Sequence, residues 1–339
     1  MDLEHTNKMM DDHKKDWEKY GVSIMLDGWT NKKQKTLINF LVNCPRGTMV
    51  VDSVDVSSFS KNCDKMFEML DNFVQRIGLE NVVQVVTDSS SPIVMAGRLL
   101  EAKYQYLYRT PCAAHCMDLM LEDIGKLNNN MRDGNLYIYT CPGVLNMTRQ
   151  FTGQRELLPP AKTKFTTAFL ILASIHKQKE NLRKMFTNEW TKGKWEKEAL
   201  GKKVASIVLM PSFWTSIIRC LKVIIPLVRV LRLVDGEMKP SRGYIYGAMD
   251  RAKEVIMKAF FGNEEKYKEV FTIIDRRWEV KLHRPLHAAA HFLNPEFYYY
   301  NKSVDVDFEV QDGLLKCIQR LVASTDVQDK TSDELAIYK

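Results

Sequence analysis

Two short runs limit what this chain can fold into more than any other feature: VSIMLDGWT, from Val22 to Thr30, and VVQVVTD, from Val82 to Asp88. Each begins as an apolar stretch rich in β-branched residues and is bounded by turn signals, so each reads as a strand. Each also leads into a carboxylate, Asp27 before Gly28 and Asp88 before Ser89, Ser90 and Ser91. If the two strands lie side by side, Asp27 and Asp88 come within reach of one hard cation, because Mg²⁺ is held by one or two carboxylates together with waters and phosphate oxygens. A plainer reading stands beside it: an Asp after a strand commonly closes a turn or caps a helix.

The runs around them set the topology. Residues 1–20 read as a polar helix with Trp17 and Tyr20 as docking points. Residues 36–44 and 48–58 read as second and third strands, joined by short turns into an antiparallel meander. Between 61 and 77, Met66, Leu70, Phe73, Val74 and Ile77 recur at three and four residues, an amphipathic helix stopped by Gly78. The strand ending at Asp88 therefore follows a crossover and can pair in parallel. Pro92 marks the start of a helix to Lys103, residues 106–110 make a fifth strand, and Pro111 opens a helix with Met117, Leu121 and Ile124 on its apolar face. The expected fold is α/β, a mixed five-stranded sheet with flanking helices. Beyond residue 127 the texture changes to helical periodicity over 165–186, 212–234, 244–261, 267–282 and 286–293, with linkers at 193–203 and 235–243. The domain reading is a polar helix at 1–20, the sheet core at 21–127, an all-α insertion at 128–300, and a helical remainder of the core at 301–339.

Forty-five per cent of the residues are hydrophobic, enough for a packed core, and no apolar run nears the roughly 20 residues that span a bilayer. The charged start lacks the apolar core of a signal peptide, so no membrane partner is expected and the protein reads as unsecreted. Seven irregularly spaced cysteines suggest reduced thiols in a cytosol or nucleus. Residues 149–300 hold 28 Lys plus Arg against 15 Asp plus Glu, while the remainder is net acidic. A basic half beside metal-capable carboxylates suits a polyanion such as DNA, although basic surface helices are also common.

Cys112 and His115 stand three apart at a helix start, where zinc could take two ligands, but no second pair of like spacing exists and no zinc site is expected. A positional role beside the sheet, with the imidazole donating to a phosphate or base, is the alternative. His283, His287 and His291 would share a helix face if Pro285 lies in its first turn; without the Glu of a zinc-protease helix, packing accounts for them better. No Gly-rich phosphate loop or nucleophile elbow is present. Trp190, Trp195, Trp214 and Trp278 read as helix-packing core.

These residues carry a resemblance. DGWT at Asp27, VVTDSSS ending at Ser91, TPCAAHCMDLMLEDIGK from Thr110, TKFTTAFLIL from Thr163, SFWTSI from Ser212, PLVRVLRLVDGE from Pro226, GYIYGAMDRAKE from Gly243 and RRWEVKLHRPLHAAAHFLNPEFYY from Arg276 resemble plant hAT-superfamily transposase proteins that carry the domain of unknown function 659. The resemblance implies an RNase H-like core interrupted by a helical insertion, and a DDE triad holding two divalent metals, Mg or Mn. It implies that Asp27 and Asp88 match the first two acidic positions, that Cys112 and His115 match a C-x-x-H motif near DNA, and that Phe165 stands where relatives place a base-stacking Trp. The chain departs from the family in ending before the motif that bears the third carboxylate, and in lacking a BED finger; Glu334 has the wrong surroundings for that third role. Ser89 and Pro92 replace residues that are often Asn. The expectation is a catalytically incomplete, nuclear, transposase-derived protein with residual DNA binding, able to form homo-oligomers or to join related transposase-like proteins. The alternatives are a domesticated DNA- or protein-interaction module without catalysis, and a nuclease completed by Asp55, Glu122 or Asp123.

Overall fold

The computed structural model describes residues 3–31, 33, 35–59, 62–127, 142–153, 165–186, 190, 197–236, 241–299 and 307–338. Five strands, β1 (Val22–Thr30), β2 (Thr36–Cys44), β3 (Gly47–Asp55), β4 (Val82–Thr87) and β5 (Tyr108–Pro111), form one sheet in the order β3-β2-β1-β4-β5. The short connections give antiparallel pairs, β1 with β2 and β2 with β3. The helical crossovers α2 (Cys63–Ile77) and α3 (Ser91–Lys103) give the parallel pairs β1 with β4 and β4 with β5. The mixed five-stranded sheet expected from the sequence is thus present, with an order compatible with an RNase H-like core.

Alternation sets which side is dry. Ile24 and Leu26 of β1, Ile38, Phe40 and Val42 of β2 and Val85 of β4 share one apolar cluster with Met66, Leu70, Phe73 and Val74 of α2 and Ala96 and Leu100 of α3. Phe40 and Phe73 stack with ring centroids 4.3 Å apart. Helix α2 starts where the Asn62 side chain accepts from the backbone N–H groups of Asp64 and Lys65. It stops at Gly78, whose φ of 98° a side chain would resist. Of the two docking points expected on α1 (Leu3–Tyr20), Trp17 is buried and donates to His13 Nδ1 at 2.8 Å, whereas Tyr20 is exposed.

Boundaries in the sheet core differ from expectation in several places: the third strand, expected over 48–58, is Gly47–Asp55. The fifth strand is Tyr108–Pro111, and α4 (Ala113–Lys126) begins after Pro111 rather than on it. A turn closed by Leu107 N–H on Tyr104 O delays the strand. Pro111 then fits the end of an edge strand, where its missing N–H costs no ladder bond.

Contacts divide the chain into two compact units, 1–116 with 233–247 and 278–339, and 117–232 with 248–277. In the first, α12 (Pro285–Phe292) packs on α14 (Phe308–Leu321) so closely that a Cβ on Gly313 would lie 2.4 Å from Ala288 Cβ. Helix α14 also reaches the sheet edge: Tyr108 donates to Lys316 O at 3.1 Å, and Arg320 pairs with Glu101 at 3.1 Å. The short helix α13 (Pro295–Tyr298) and α15 (Thr325–Tyr338) complete the described helices after residue 285.

The second unit is helical, from α5 (Pro142–Phe151) through α6 (Phe165–Lys177), α7 (Lys179–Lys184), α8 (Ala199–Leu209) and α9 (Pro211–Val234) to α10 (Ser241–Ala259) and α11 (Lys268–Arg277). Its core gathers Val144, Ile171, Ile175, Val204, Val208, Trp214 and Ile217. The linker expected over 193–203 is in part helix α8, because Val204 and Val208 are four apart and buried. Similarly, Ser241 and Gly243 lie in α10 rather than in a linker. The helix expected over 165–186 breaks at Gln178, and that over 267–282 passes from α11 into a π turn, Trp278–Leu282. Residues 128–135 lie outside the described residues, as do Trp195, Cys141 and Tyr300. No disulfide joins the six described cysteines, and no described helix is long and apolar enough to cross a membrane.

Candidate functional site

The parallel register decides whether Asp27 and Asp88 meet. Ile24 pairs with Val85 and Met25 with Val86, so two residues further on Asp27 faces Asp88, with adjacent strands about 4.8 Å apart. On the other side Val86 pairs with Thr110 and Thr87 with Pro111, which brings Cys112 level with Asp88. The Cys112 N–H donates to Thr87 O at 2.7 Å, extending the ladder by one bond past the strand. Asp27, Asp88 and Cys112 therefore occupy one row across β1, β4 and β5.

Paired residues of a parallel sheet point to the same face, and the row below this one shows which. Gln84 Nε2 donates to Ser23 Oγ at 2.9 Å and Thr110 Oγ1 donates to Gln84 Oε1 at 2.9 Å. This polar ladder from β1 to β5 lies on the face opposite the α2–α3 cluster. It ends in the two carboxylates where the sheet meets solvent.

The two aspartates differ in their surroundings. Asp27 is exposed and has no hydrogen bond or ion pair among the described residues. Asp88 is half-buried, and its Oδ1 accepts from Ser90 N at 2.8 Å and Ser90 Oγ at 2.7 Å, just before α3. The turn role is thus real for Asp88, and it uses one oxygen of two. A hard cation fits this donor set as two carboxylates completed by waters and phosphate oxygens. No group of three or more His, Cys, Asp or Glu able to hold a metal occurs among the described residues.

Cys112 is not on the helix as expected but caps it: Cys116 N–H donates to Cys112 O at 3.0 Å. His115 follows in the first turn of α4 and is half-buried. Phe165 is the first residue of α6, in the second unit, and its side chain lies outside the described residues. Asp55 sits two strands from Asp27, level with Leu37, and is held by Ser57 and Lys35. Glu122 and Asp123 belong to the second unit, where Lys126 pairs with both at 3.3 Å and Arg277 with Asp123 at 2.5 Å. Glu334 is exposed on α15.

The histidines are structural. His287 and His291 are buried in α12, with Nδ1 2.9 Å from Leu282 O and from Gly243 O respectively. His283 precedes the helix and pairs with Glu309 at 2.5 Å, so the three do not share one helix face.

A neighbouring residue escaped the sequence reading. Arg109 is buried on the α3 side of β5, where its guanidinium donates twice to Thr87 Oγ1, at 3.2 and 3.1 Å. Burial first, and then the Arg284 guanidinium, push its pKa below the usual value. The signal was Gly97: a Cβ there would lie 2.9 Å from Arg109 Cγ, so a glycine inside a helix marked a close approach.

Residues 1–132 match the family model described as "Domain of unknown function (DUF659)". The matched span contains all five strands and Asp27, Asp88, Cys112 and His115. No curated protein matches the chain.

Proposed function

We propose that this chain derives from plant hAT-superfamily transposases, acts on DNA by binding it in the nucleus, and does not cut it with the two carboxylates of the aspartate row alone. The DUF659 match over residues 1–132 supports the ancestry. The observation that carries the site is the register that sets Asp27 level with Asp88 on the solvent end of the polar face. In this reading the two carboxylates bind Mg²⁺ or Mn²⁺, which would polarise a phosphodiester oxygen. Asp27, without a partner among the described residues, offers both oxygens; Asp88 offers its second oxygen while Ser90 fixes the first. Cys112 holds the end of β5 against Thr87, so that His115 is presented beside the row to donate to a phosphate.

Incubation of the purified chain with nicked and hairpin DNA in Mn²⁺ tests this. The expected result is retention of the DNA at about 50 mM salt with both strands uncut. Nicking that disappears in Asp27→Asn would contradict the absence of cutting by this pair, and failure to retain DNA would contradict the DNA-binding reading.

A further inference from the structure

Helix α9 holds no Asp or Glu among its 24 residues. Trp214, Ile217, Leu221, Ile224 and Val228 lie on its buried side. The positions left outside include Arg219, Lys222, Arg229 and Arg232, with Ile218 and Ile225 between them. Spacings of three, seven and three residues wind the four cations across roughly 140° of the helix. At 1.5 Å per residue this row is about 20 Å long.

The row differs from several other cations of the unit, which meet carboxylates: Lys253 with Asp275, Lys258 with Glu254, Arg276 and Arg277 with Asp123. On α9, Arg219 donates to Lys266 O at 2.9 Å and Lys222 to Ala259 O at 2.8 Å. Backbone carbonyls fix those side chains without neutralising them. Among the described residues no carboxylate pairs with any of the four. The turn that reaches Arg219 does carry Glu264 and Glu265, both exposed, which bound the row at that end.

Phe261 stands at the same end. Its φ of 54° is a left-handed conformation that bulky residues avoid, and its side chain is 93% exposed. Lys222 Nζ lies 5.8 Å from its ring centroid. A cationic track beside a ring presented to solvent is the arrangement that holds unpaired nucleic acid, the charges following the backbone and the ring taking a base. A lipid surface fits less well, because the apolar side of α9 is already buried in the protein.

We propose that this face of α9 docks the sugar-phosphate backbone of DNA and that Phe261 stacks on an unpaired base at the Arg219 end. The proposal rests on the DNA-binding reading above, but it uses residues that take no part in the aspartate row. Fluorescence anisotropy of the full chain with a duplex bearing a single-stranded tail, titrated over a range of salt, reads it directly. Replacing all four cations by Gln should make the slope of log affinity against log salt shallower by roughly 3. Arg229→Gln with Arg232→Gln, two exposed side chains without a partner among the described residues, should remove about half of that and leave the fold alone. Arg219→Lys, Arg229→Lys and Arg232→Lys together should keep the slope. Phe261→Ala should weaken the tailed DNA about tenfold and leave a blunt duplex unaffected. An unchanged slope in both Gln variants, with the parent chain still binding, overturns this surface and leaves the DNA-binding reading standing. No binding by the parent chain overturns both.

Discussion

Asp88 does two things at once, and the two can be separated by mutation. Its Oδ1 serves the turn into α3 through Ser90, while its charge serves the row with Asp27. Asp88→Asn keeps an acceptor for Ser90 and should cost less than about 0.5 kcal/mol, whereas Asp88→Ala should cost about 1 kcal/mol; urea midpoints distinguish them. Equal losses would mean that the turn bond contributes nothing. Asp27 has no partner among the described residues, so Asp27→Ala should stay within about 0.5 kcal/mol of the parent. Loss of metal by these variants is then not loss of fold. Phe261 is the opposite case, a residue whose backbone is strained. Phe261→Gly should stabilise the chain by about 1 kcal/mol, seen as a higher thermal midpoint, and a lower midpoint would show that the ring is packed after all.

The sheet and most helices were legible because their apolar residues repeat at two or at three and four, and turns mark their ends. What was not legible came from contacts distant in sequence. The start of β5 depends on a turn at Tyr104, and α8 depends on a core that only folding assembles around Val204 and Val208. The closeness of α12 and α14 was equally hidden, although Gly313 marks it. Gly313→Ala would drive a methyl into Ala288, which has no rotamer to yield, and should cost about 1–3 kcal/mol in urea unfolding; an unchanged midpoint would show that the helices part easily. The clamp on Asp123 makes α4 and α11 sensitive to acid. Burial pulls the Asp123 carboxyl upward, but hydrogen bonds from Arg277 and Lys126 outweigh it and hold the pKa below the usual value. The folded value is below the unfolded one, so this stabilisation is complete above about pH 4 and fades as pH falls through the lowered folded value. The midpoint difference between the parent and Asp123→Asn should therefore shrink on acidification; a constant difference would mean that the charge is irrelevant.

Across the whole molecule, the sequence revealed the unequal distribution of charge but not its address. A count over residues 149–300 cannot distinguish Lys253, paired with Asp275, from Arg229, which meets no carboxylate among the described residues. The two aspartates were legible for the contrary reason. A strand-end carboxylate needs only the pattern of its own strand to be noticed, and the crossover helices then force the parallel register that sets the pair level. The role of Phe165 stays where the resemblance put it, because its side chain lies outside the described residues. Convergence of Asp27 and Asp88 on a cation is what would make this face of the sheet a metal site. Titration calorimetry of the full chain with Mn²⁺, beside the Asp27→Ala, Asp88→Ala double variant, measures that. Binding by the parent chain that the double variant loses, with the double variant still folded and destabilised by no more than about 1–1.5 kcal/mol, is the predicted result. No heat from the parent chain, or the same heat from both, would contradict it.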